Sequence, residues 1–321
     1  MRILYVGLRD PHHSSAGGYD WITKCPGTET LWDYQAPFSF LKPNQRGKRI
    51  NLFFQDLKAR RMANEYEILH YFYGDTLKTK FPKHRDYKVV ATIHMDITKK
   101  KEMNKFIGIL NSMDGIITLS SSQQKTLDNL GVSSVFIPHG FNEPDYRQVE
   151  MDIESSKINI VISGSNYRDV DTMMYAIDFC EKNRPDIQFH LLGQPSVIKD
   201  VLNGKVNAIC YPRLDDNHYF TMMSSCDYSF LPLTFATANN ALLEAQFLGV
   251  KGIYPKIDGI NDYAGLEPMN LFYKSREELE NILVNIEKCT QLEDLKIFAL
   301  QFKWENIYRQ LEGYYKNLIN A

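Results

Sequence analysis

Pro232-Leu233-Thr234-Phe235-Ala236-Thr237-Ala238-Asn239-Asn240-Ala241-Leu242-Leu243-Glu244-Ala245 follows the apolar run Tyr228 to Leu231. The run reads as a buried strand, the small-residue stretch as a loop, and Asn239 to Leu248 as a helix stopped by Gly249. A loop of Thr and Ala that ends at a helix N-terminus exposes backbone amides, which suits an anion. Glu244 lies about a turn and a half into that helix. It would repel the anion unless it faced vicinal hydroxyls, such as those of a ribose, which a carboxylate accepts from strongly. A solvated helix glutamate is the other reading.

The same strand–loop–helix unit recurs on both sides. Ile3 to Val6, Ile68 to Tyr73, Val89 to Ile93, Gly115 to Leu119 and Val135 to Ile137 are short apolar runs. Helical patterns over Leu52 to Met62, Glu102 to Leu110 and Gln123 to Leu130 separate them. After residue 150 the alternation restarts, with strands at Ile158 to Ile162, Phe189 to Leu192, Ala208 to Tyr211, Tyr228 to Leu231 and Gly252 to Tyr254. Helices are expected at Asp171 to Cys180, Asn217 to Ser224, Glu277 to Glu287 and Trp304 to Leu318. Continuous apolar strands separated by helices imply parallel sheets covered on both faces. Residues 142–157 carry seven charged side chains without apolar periodicity and read as a linker. The expected division is 1–150, joined by a last helix at about 304–321, and 151–303.

Ligands of open parallel sheets bind beyond the carboxyl ends of the strands. After the first strand stands Arg9-Asp10-Pro11-His12-His13-Ser14-Ser15-Ala16-Gly17-Gly18, whose glycine pair lets backbone approach a ligand. His94 ends the third strand, with Asp96 two residues on, and can hydrogen-bond a polar substrate. Gly164-Ser165-Asn166-Tyr167-Arg168-Asp169 follows the first strand of the second half. A glycine, one arginine and a helix N-terminus can hold a diphosphate. Asp169-Val170-Asp171 has the D-x-D spacing of a metal-binding carboxylate pair, but Asp at a helix start is an ordinary cap.

With 37 Lys+Arg against 39 Asp+Glu in 321 residues, bulk charge does not favour nucleic acid. Residues 1–150 carry +5 and the remainder −7, an asymmetry that again favours two domains. Five cysteines at wide spacing, without a C-x-x-C, indicate reduced thiols in a cytosolic protein. No apolar stretch is long enough for a membrane-spanning helix.

In order along nearly the whole chain, these segments resemble the GT-B-fold retaining glycosyltransferases of glycosyltransferase family four. Gly17-Gly18 matches the family's glycine pair. Asp114 to Ser120, Leu130-Gly131-Val132 and Ile137-Pro138-His139-Gly140-Phe141-Asn142 resemble the stretch leading to the domain crossing. Leu231 to Ala245 with Gly249 resembles the nucleotide-sugar motif, and Phe302-Lys303-Trp304 opens a last helix of the family's type.

The resemblance implies an α/β GT-B fold: two Rossmann-like doubly wound domains facing a central cleft, with the C-terminal helix crossing back to the first. It implies a retaining hexosyl transfer from a nucleotide-sugar donor to a glycan or lipid-linked acceptor. The donor is a co-substrate, and neither cofactor nor metal is required. Glu244 would hold the donor ribose, and Thr237, Ala238, Asn239 and Asn240 would offer amides to the sugar and diphosphate. Arg168, beside Gly164, would neutralise the diphosphate. Backbone around Arg213 and Leu214 would read the base, Gly17 and Gly18 would permit closure, and His94 would contact the transferred sugar. The chain departs from the family's E-x7-E pattern, since Ala236 stands where the first Glu belongs. Ser165 likewise replaces the usual arginine after Gly164. These departures keep open a donor-binding homologue without turnover.

Residues 42–105 hold 16 Lys+Arg and seven Asp+Glu, with Phe53, Phe54 and Phe81 among them. Such a face can rest on anionic lipid, so the expectation is a cytoplasmic protein able to sit on the inner membrane face. No specific nucleic-acid partner is expected, although the same patch leaves a glycosyltransferase acting on nucleic acid as an alternative.

Overall fold

The computed structural model describes residues 1–8, 16–36, 45–202 and 204–321, the side chains of 45–49, 197 and 199 excepted. Among these the chain divides into two compact units. One comprises residues 1–8, Gly17–Gly140 and Trp304–Ala321; the other comprises Ala16 and Phe141–Lys303.

The first unit contains β1 (Ile3–Gly7), β2 (Thr28–Trp32), α1 (Gln45–Met62), β3 (Ile68–Tyr71), β4 (Lys88–Ile93), α2 (Met103–Leu110), β5 (Gly115–Thr118), α3 (Ser121–Asn129) and β6 (Val135–Phe136). The strands form one parallel sheet in the order β2-β1-β3-β4-β5-β6. β1 and β3 are buried at every position, which is why they read as continuous apolar runs. β2, Thr-Glu-Thr-Leu-Trp, is an edge strand with only Leu31 buried. It keeps polar side chains toward solvent and therefore gives no apolar signal.

Alternate residues serve the two faces of this sheet. Leu4, Val6, Leu69, Tyr71, Val89 and Ala91 join Ala59 of α1 and Phe106 and Ile109 of α2 in one core. The other side chains include Tyr5, His70 and Thr92, which form a buried polar network. His70 Nδ1 shares a 2.6 Å hydrogen bond with the Tyr315 hydroxyl, and its Nε2 shares one of 2.8 Å with Thr92 Oγ1. The Tyr315 and Tyr5 hydroxyls meet at 3.3 Å, and the Tyr19 hydroxyl reaches Thr92 at 3.2 Å.

The second unit contains β7 (Ile158–Ser163), α4 (Val170–Asn183), β8 (Ile187–Leu192), α5 (Ser196–Val201), β9 (Ala208–Cys210), α6 (Asp216–Ser225), β10 (Tyr228–Phe230), α7 (Asn240–Phe247), β11 (Lys251–Pro255), α8 (Asp258–Asn261), β12 (Leu271–Tyr273), α9 (Arg276–Asn285) and α10 (Glu293–Ala299). Its parallel sheet runs β12-β11-β10-β7-β8-β9. Tyr315 lies on the closing helix α11 (Trp304–Asn320), which belongs to the first unit and buries Trp304, Ile307, Leu311 and Tyr315 along one stripe.

The stretch 142–157, which reads as a linker, groups with the second unit and is anchored to it. Arg147 N–H donates to Asn217 Oδ1 at 2.9 Å, and Val149 N–H to Thr221 Oγ1 at 3.2 Å, both on α6. Side chains of a helix thus satisfy backbone groups that have no strand partner, and no apolar period is needed.

Each sheet reverses direction once. From β1 the chain crosses to β2 on one side and then to β3 on the other. From β7 it runs through β8 and β9 before returning to β10 on the opposite side. The loops leaving such neighbours diverge to opposite faces and open a crevice at the strand ends.

Burial pushes the His70 pKa from 6.5 to about 3, so the ring is neutral at pH 7. Because the folded value lies below the unfolded one, the full contribution is present above pH 6.5 and is lost as pH falls toward 3. The expected cost is about 1.4 kcal/mol per pH unit in that window. Urea unfolding of the first unit at pH 7, 6 and 5 measures it, and a His70→Gln variant should show a shallower decline.

Candidate functional site

The crevice between β7 and β10 gathers the two loops singled out in the sequence. β7 ends at Ser163, and Gly164 then adopts φ +74°, a left-handed conformation that favours glycine. Tyr167 takes φ +55°, and its carbonyl accepts the Thr234 N–H at 2.9 Å. Asp169 N–H donates to Pro232 O at 2.9 Å, and Arg168 bridges Leu233 in antiparallel fashion. The loops 164–169 and 231–239 are therefore stitched together across the point of reversal.

Arg168 folds inward. Its guanidinium donates to Ser163 O and, at 3.2 Å, to Asn166 O, while its buried Nε has no hydrogen-bond partner. No carboxylate pairs with it among the described residues. Burial draws its pKa down to about 10, and it remains charged at pH 7. A half-buried cation whose partners among the described residues are carbonyl oxygens is left with charge to offer an anion.

Glu244 on α7 is 3% exposed, so it is not a solvated helix residue. The Tyr219 hydroxyl of α6 donates to Glu244 Oε2 at 2.5 Å and also meets Ser163 Oγ at 2.7 Å. Burial first, and then the Glu244 charge, raises the Tyr219 pKa well above its ordinary value. Arg168, Gly164 and Glu244 thus converge around Ser163. Tyr219 and Ser163 escaped the sequence reading because a tyrosine in mid-helix and a serine at a strand end carry no spacing signature.

The N-terminus of α7 is shaped by Asn239, whose side chain accepts the Leu242 N–H at 3.2 Å. That carboxamide oxygen serves as the cap of α7. Thr237 is buried, and Ala238, Asn239 and Asn240 are half-buried. Ala236 O lies where a Cβ on Gly259 would meet it at 1.8 Å, so α8 sets the loop's position through that glycine. Arg213 and Leu214 lie on the loop between β9 and α6, two strands beyond β7. Asp169 accepts the Thr172 N–H at 3.0 Å and the Thr172 hydroxyl at 2.7 Å, which makes it the cap of α4. Among the described residues, no group of three His, Cys, Asp or Glu side chains could hold a metal.

In the first unit Gly17 and Gly18 are buried, and Gly18 takes φ +102° before the 3-10 helix Tyr19–Lys24. Arg9 to Ser15 lie outside the described residues. His94 ends β4, its N–H donating to Asp75 Oδ2 at 2.8 Å. Its Nε2 lies 2.6 Å from Phe72 O, and the ring packs between Tyr19 and Tyr73 at 4.7 and 4.6 Å. In the neutral ring Nε2 is the donor to that carbonyl, which makes Nδ1 the acceptor.

The basic face at 42–105 is smaller than its charge count. Arg60 is bound to Asp56 and Thr79 and lies 3.8 Å over Phe81. Phe81, read as a protruding aromatic, is instead buried at 4% exposure beneath that arginine. Arg85 pairs with Asp114. Phe53 does protrude, at 55% exposure. Lys42 lies outside the described residues, as do the side chains of Lys48 and Arg49.

Two parallel six-stranded α/β sheets, with the last helix returned to the first unit, constitute the GT-B fold. Among solved structures, sucrose-phosphate synthase from Thermosynechococcus elongatus is similar at TM-score 0.76 and 16% identity, covering 100% of both chains. HepE of Anabaena, solved with UDP, is similar at TM-score 0.74 and 14% identity over 99% of this chain and 100% of its own. The catalytic domain of starch synthase IV from Arabidopsis thaliana, bound to ADP and acarbose, gives 0.69 and 10% over 100% and 99%. No protein-family model matches the chain, and no curated protein matches its sequence.

A Tyr219→Phe substitution removes one hydroxyl from between Glu244 and Ser163. It should destabilise the second unit by about 1–3 kcal/mol, the cost of stranding a buried polar partner. Chemical denaturation of the variant beside the parent measures the difference.

Proposed function

We propose that the protein is a retaining, metal-independent glycosyltransferase that uses a nucleotide-sugar donor held by the second unit. The observation that carries this reading is the half-buried guanidinium of Arg168, which pairs with no carboxylate among the described residues and lies one strand end away from the Tyr219–Glu244 pair. An anion and a hydroxyl-bearing group are the complementary partners of these two features. HepE, one of the similar structures, has been solved with UDP-glucose, which carries both.

In this reading Arg168 and the amides preceding α7 stabilise the charge that develops on the diphosphate as the bond to the sugar breaks. Preorganised donors in a dry site are worth far more than the same donors in water. Glu244, oriented by Tyr219, accepts hydrogen bonds from the ribose. His94 is assigned to a hydroxyl of the sugar, with Nδ1 accepting. The backbone near Arg213 and Leu214 is assigned to the base, and Gly17 and Gly18 to admitting the donor. The acceptor is a glycan or a lipid-linked glycan, and the membership proposed is glycosyltransferase family four. We place the protein in the cytoplasm, where the exposed part of the basic face can meet anionic lipid. A second reading, donor binding without transfer, is favoured specifically by Ala236 in place of the family's first motif glutamate.

Thermal denaturation with UDP, GDP, ADP, CMP and dTDP, and then with their sugars, tests the proposal. A nucleotide at 100 times its Kd should add about 2.7 kcal/mol. Arg168→Met and Glu244→Ala should each abolish the shift while leaving a folded protein. No shift with any nucleotide would overturn the reading. A shift without transfer to any glycan or lipid-linked acceptor would favour the second one.

A further inference from the structure

The turn that ends β4 is held from both sides. β4 lies between β3 and β5 in its sheet, so segments leaving its two neighbours flank His94-Met95-Asp96. Asp75 stands on the 3-10 helix Gly74–Thr76 that follows β3. Its Oδ2 accepts the His94 N–H at 2.8 Å and its Oδ1 accepts the Met95 N–H at 3.1 Å. Gln123, in the first turn of α3 after β5, donates from its carboxamide to Met95 O at 2.9 Å. Asp75 and Gln123 are each only 5% exposed. The His94 ring is tied separately, with Nε2 2.6 Å from Phe72 O.

Burying a carboxylate is costly, and a neutral acceptor satisfies a backbone N–H at lower cost. Among the described residues the Asp75 carboxylate is held by backbone N–H groups, while Lys100 donates to the Asp75 backbone carbonyl at 2.9 Å. Burial raises the Asp75 pKa, against the lowering pull of the His94 N–H and the Lys100 charge. What the carboxylate adds is geometry. Its two oxygens take successive N–H groups, whereas an Asn side chain has a single acceptor oxygen. With Gln123 on the next carbonyl, the peptide planes 93–94, 94–95 and 95–96 are each fixed by a side chain from outside the turn. Gln123 Oε1 also accepts the Leu119 N–H at 3.3 Å, which ties the turn to the end of β5.

We propose that Asp75 and Gln123 are positioning residues for His94. They set the backbone that carries its ring, and so the place where Nδ1, the acceptor of the neutral ring, meets a substrate hydroxyl. A hydrogen bond that counts in a transition state needs its acceptor placed to within about 0.5 Å. His94 lies just past Ile93, the last residue of β4, where the strand ladder no longer supplies that precision. The two buried side chains supply it instead. The inference rests on the glycosyl-transfer reading, in which His94 contacts the transferred sugar; the anchoring of the turn stands without it.

Asp75→Asn and Gln123→Met, made in the full chain, test this. Amide hydrogen exchange followed by NMR should be at least about tenfold faster at His94 and Met95 in Asp75→Asn; unchanged exchange there overturns the anchoring. The kinetic probe is release of nucleoside diphosphate from the nucleotide sugar that gives the largest thermal shift. Each variant should lower kcat about tenfold or more and leave the donor KM within about twofold. Added to His94→Ala, neither substitution should lower kcat further. A further loss of the same size in the His94→Ala protein overturns the proposal, because the two side chains then act through something other than His94. So does an unchanged kcat in His94→Ala, or a parent protein that binds the nucleotide sugar and never releases the diphosphate. If Asp75→Asn fails to fold, Gln123→Met with and without His94→Ala decides the matter alone. The donor reading is scored separately. Additive losses with an intact nucleotide shift refute this inference and keep that reading, whereas absence of any nucleotide shift refutes that reading and the role of His94, and leaves the exchange rates to decide the anchoring.

Discussion

The order of the strands is the constraint on which the rest of this molecule depends. All strands of each sheet are parallel, so all carboxyl ends face one edge and every loop with chemical potential leaves from that edge. Crossovers are right-handed, so a sheet that grows first to one side and then to the other must place successive helices on opposite faces. The gap left at the reversal cannot be filled by a helix. In the second unit that gap lies between Ser163 and Phe230; in the first it lies between Gly7 and Tyr71.

Several arginines are neutralised locally: Arg60 by Asp56, Arg85 by Asp114 and Arg184 by Asp186. Arg184 also donates to the carbonyls of Leu283, Val284 and Ile286 at the C-terminal end of α9 and acts as a clamp. At the gap of the second unit the pattern changes: Arg168 donates to carbonyl oxygens and pairs with no carboxylate among the described residues. Uncompensated charge costs stability wherever it is desolvated.

The parts legible in the sequence were those with a physical period or a strong local preference. Buried strands such as Ile158–Ser163 announce themselves because both faces are covered. Ser120 and Asp169 mark helix starts because their side chains satisfy backbone N–H groups of the first turn. The loops around Gly164 and Thr237 could be located because strand ends are where ligands bind. Their lateral joining, Asp169 to Pro232 and Thr234 to Tyr167, was not legible, since it pairs residues more than sixty positions apart through backbone atoms that any side chain permits. The burial of Glu244 was equally hidden. It depends on Tyr219, one helix earlier, and nothing in the spacing of a Tyr and a Glu twenty-five residues apart ties them. The basic face was over-read for a related reason: counting Arg60 and Arg85 as surface cations ignores that a guanidinium can lie on a ring and hold carbonyls.

The return of α11 to the first unit has a consequence for how the chain acquires its structure during synthesis. His70 and Tyr315 are separated by 245 positions. A ribosome therefore releases the whole β1–β6 sheet, and then every residue of the second unit, before the tyrosine that completes the His70 network exists. Until then the face carrying Tyr5, His70 and Thr92 has polar groups and apolar area without their cover. The second unit, whose residues are contiguous apart from Ala16, has its core complete at Lys303. The order of completion thus reverses the order of translation: the second unit is finished first, and the first unit waits for α11.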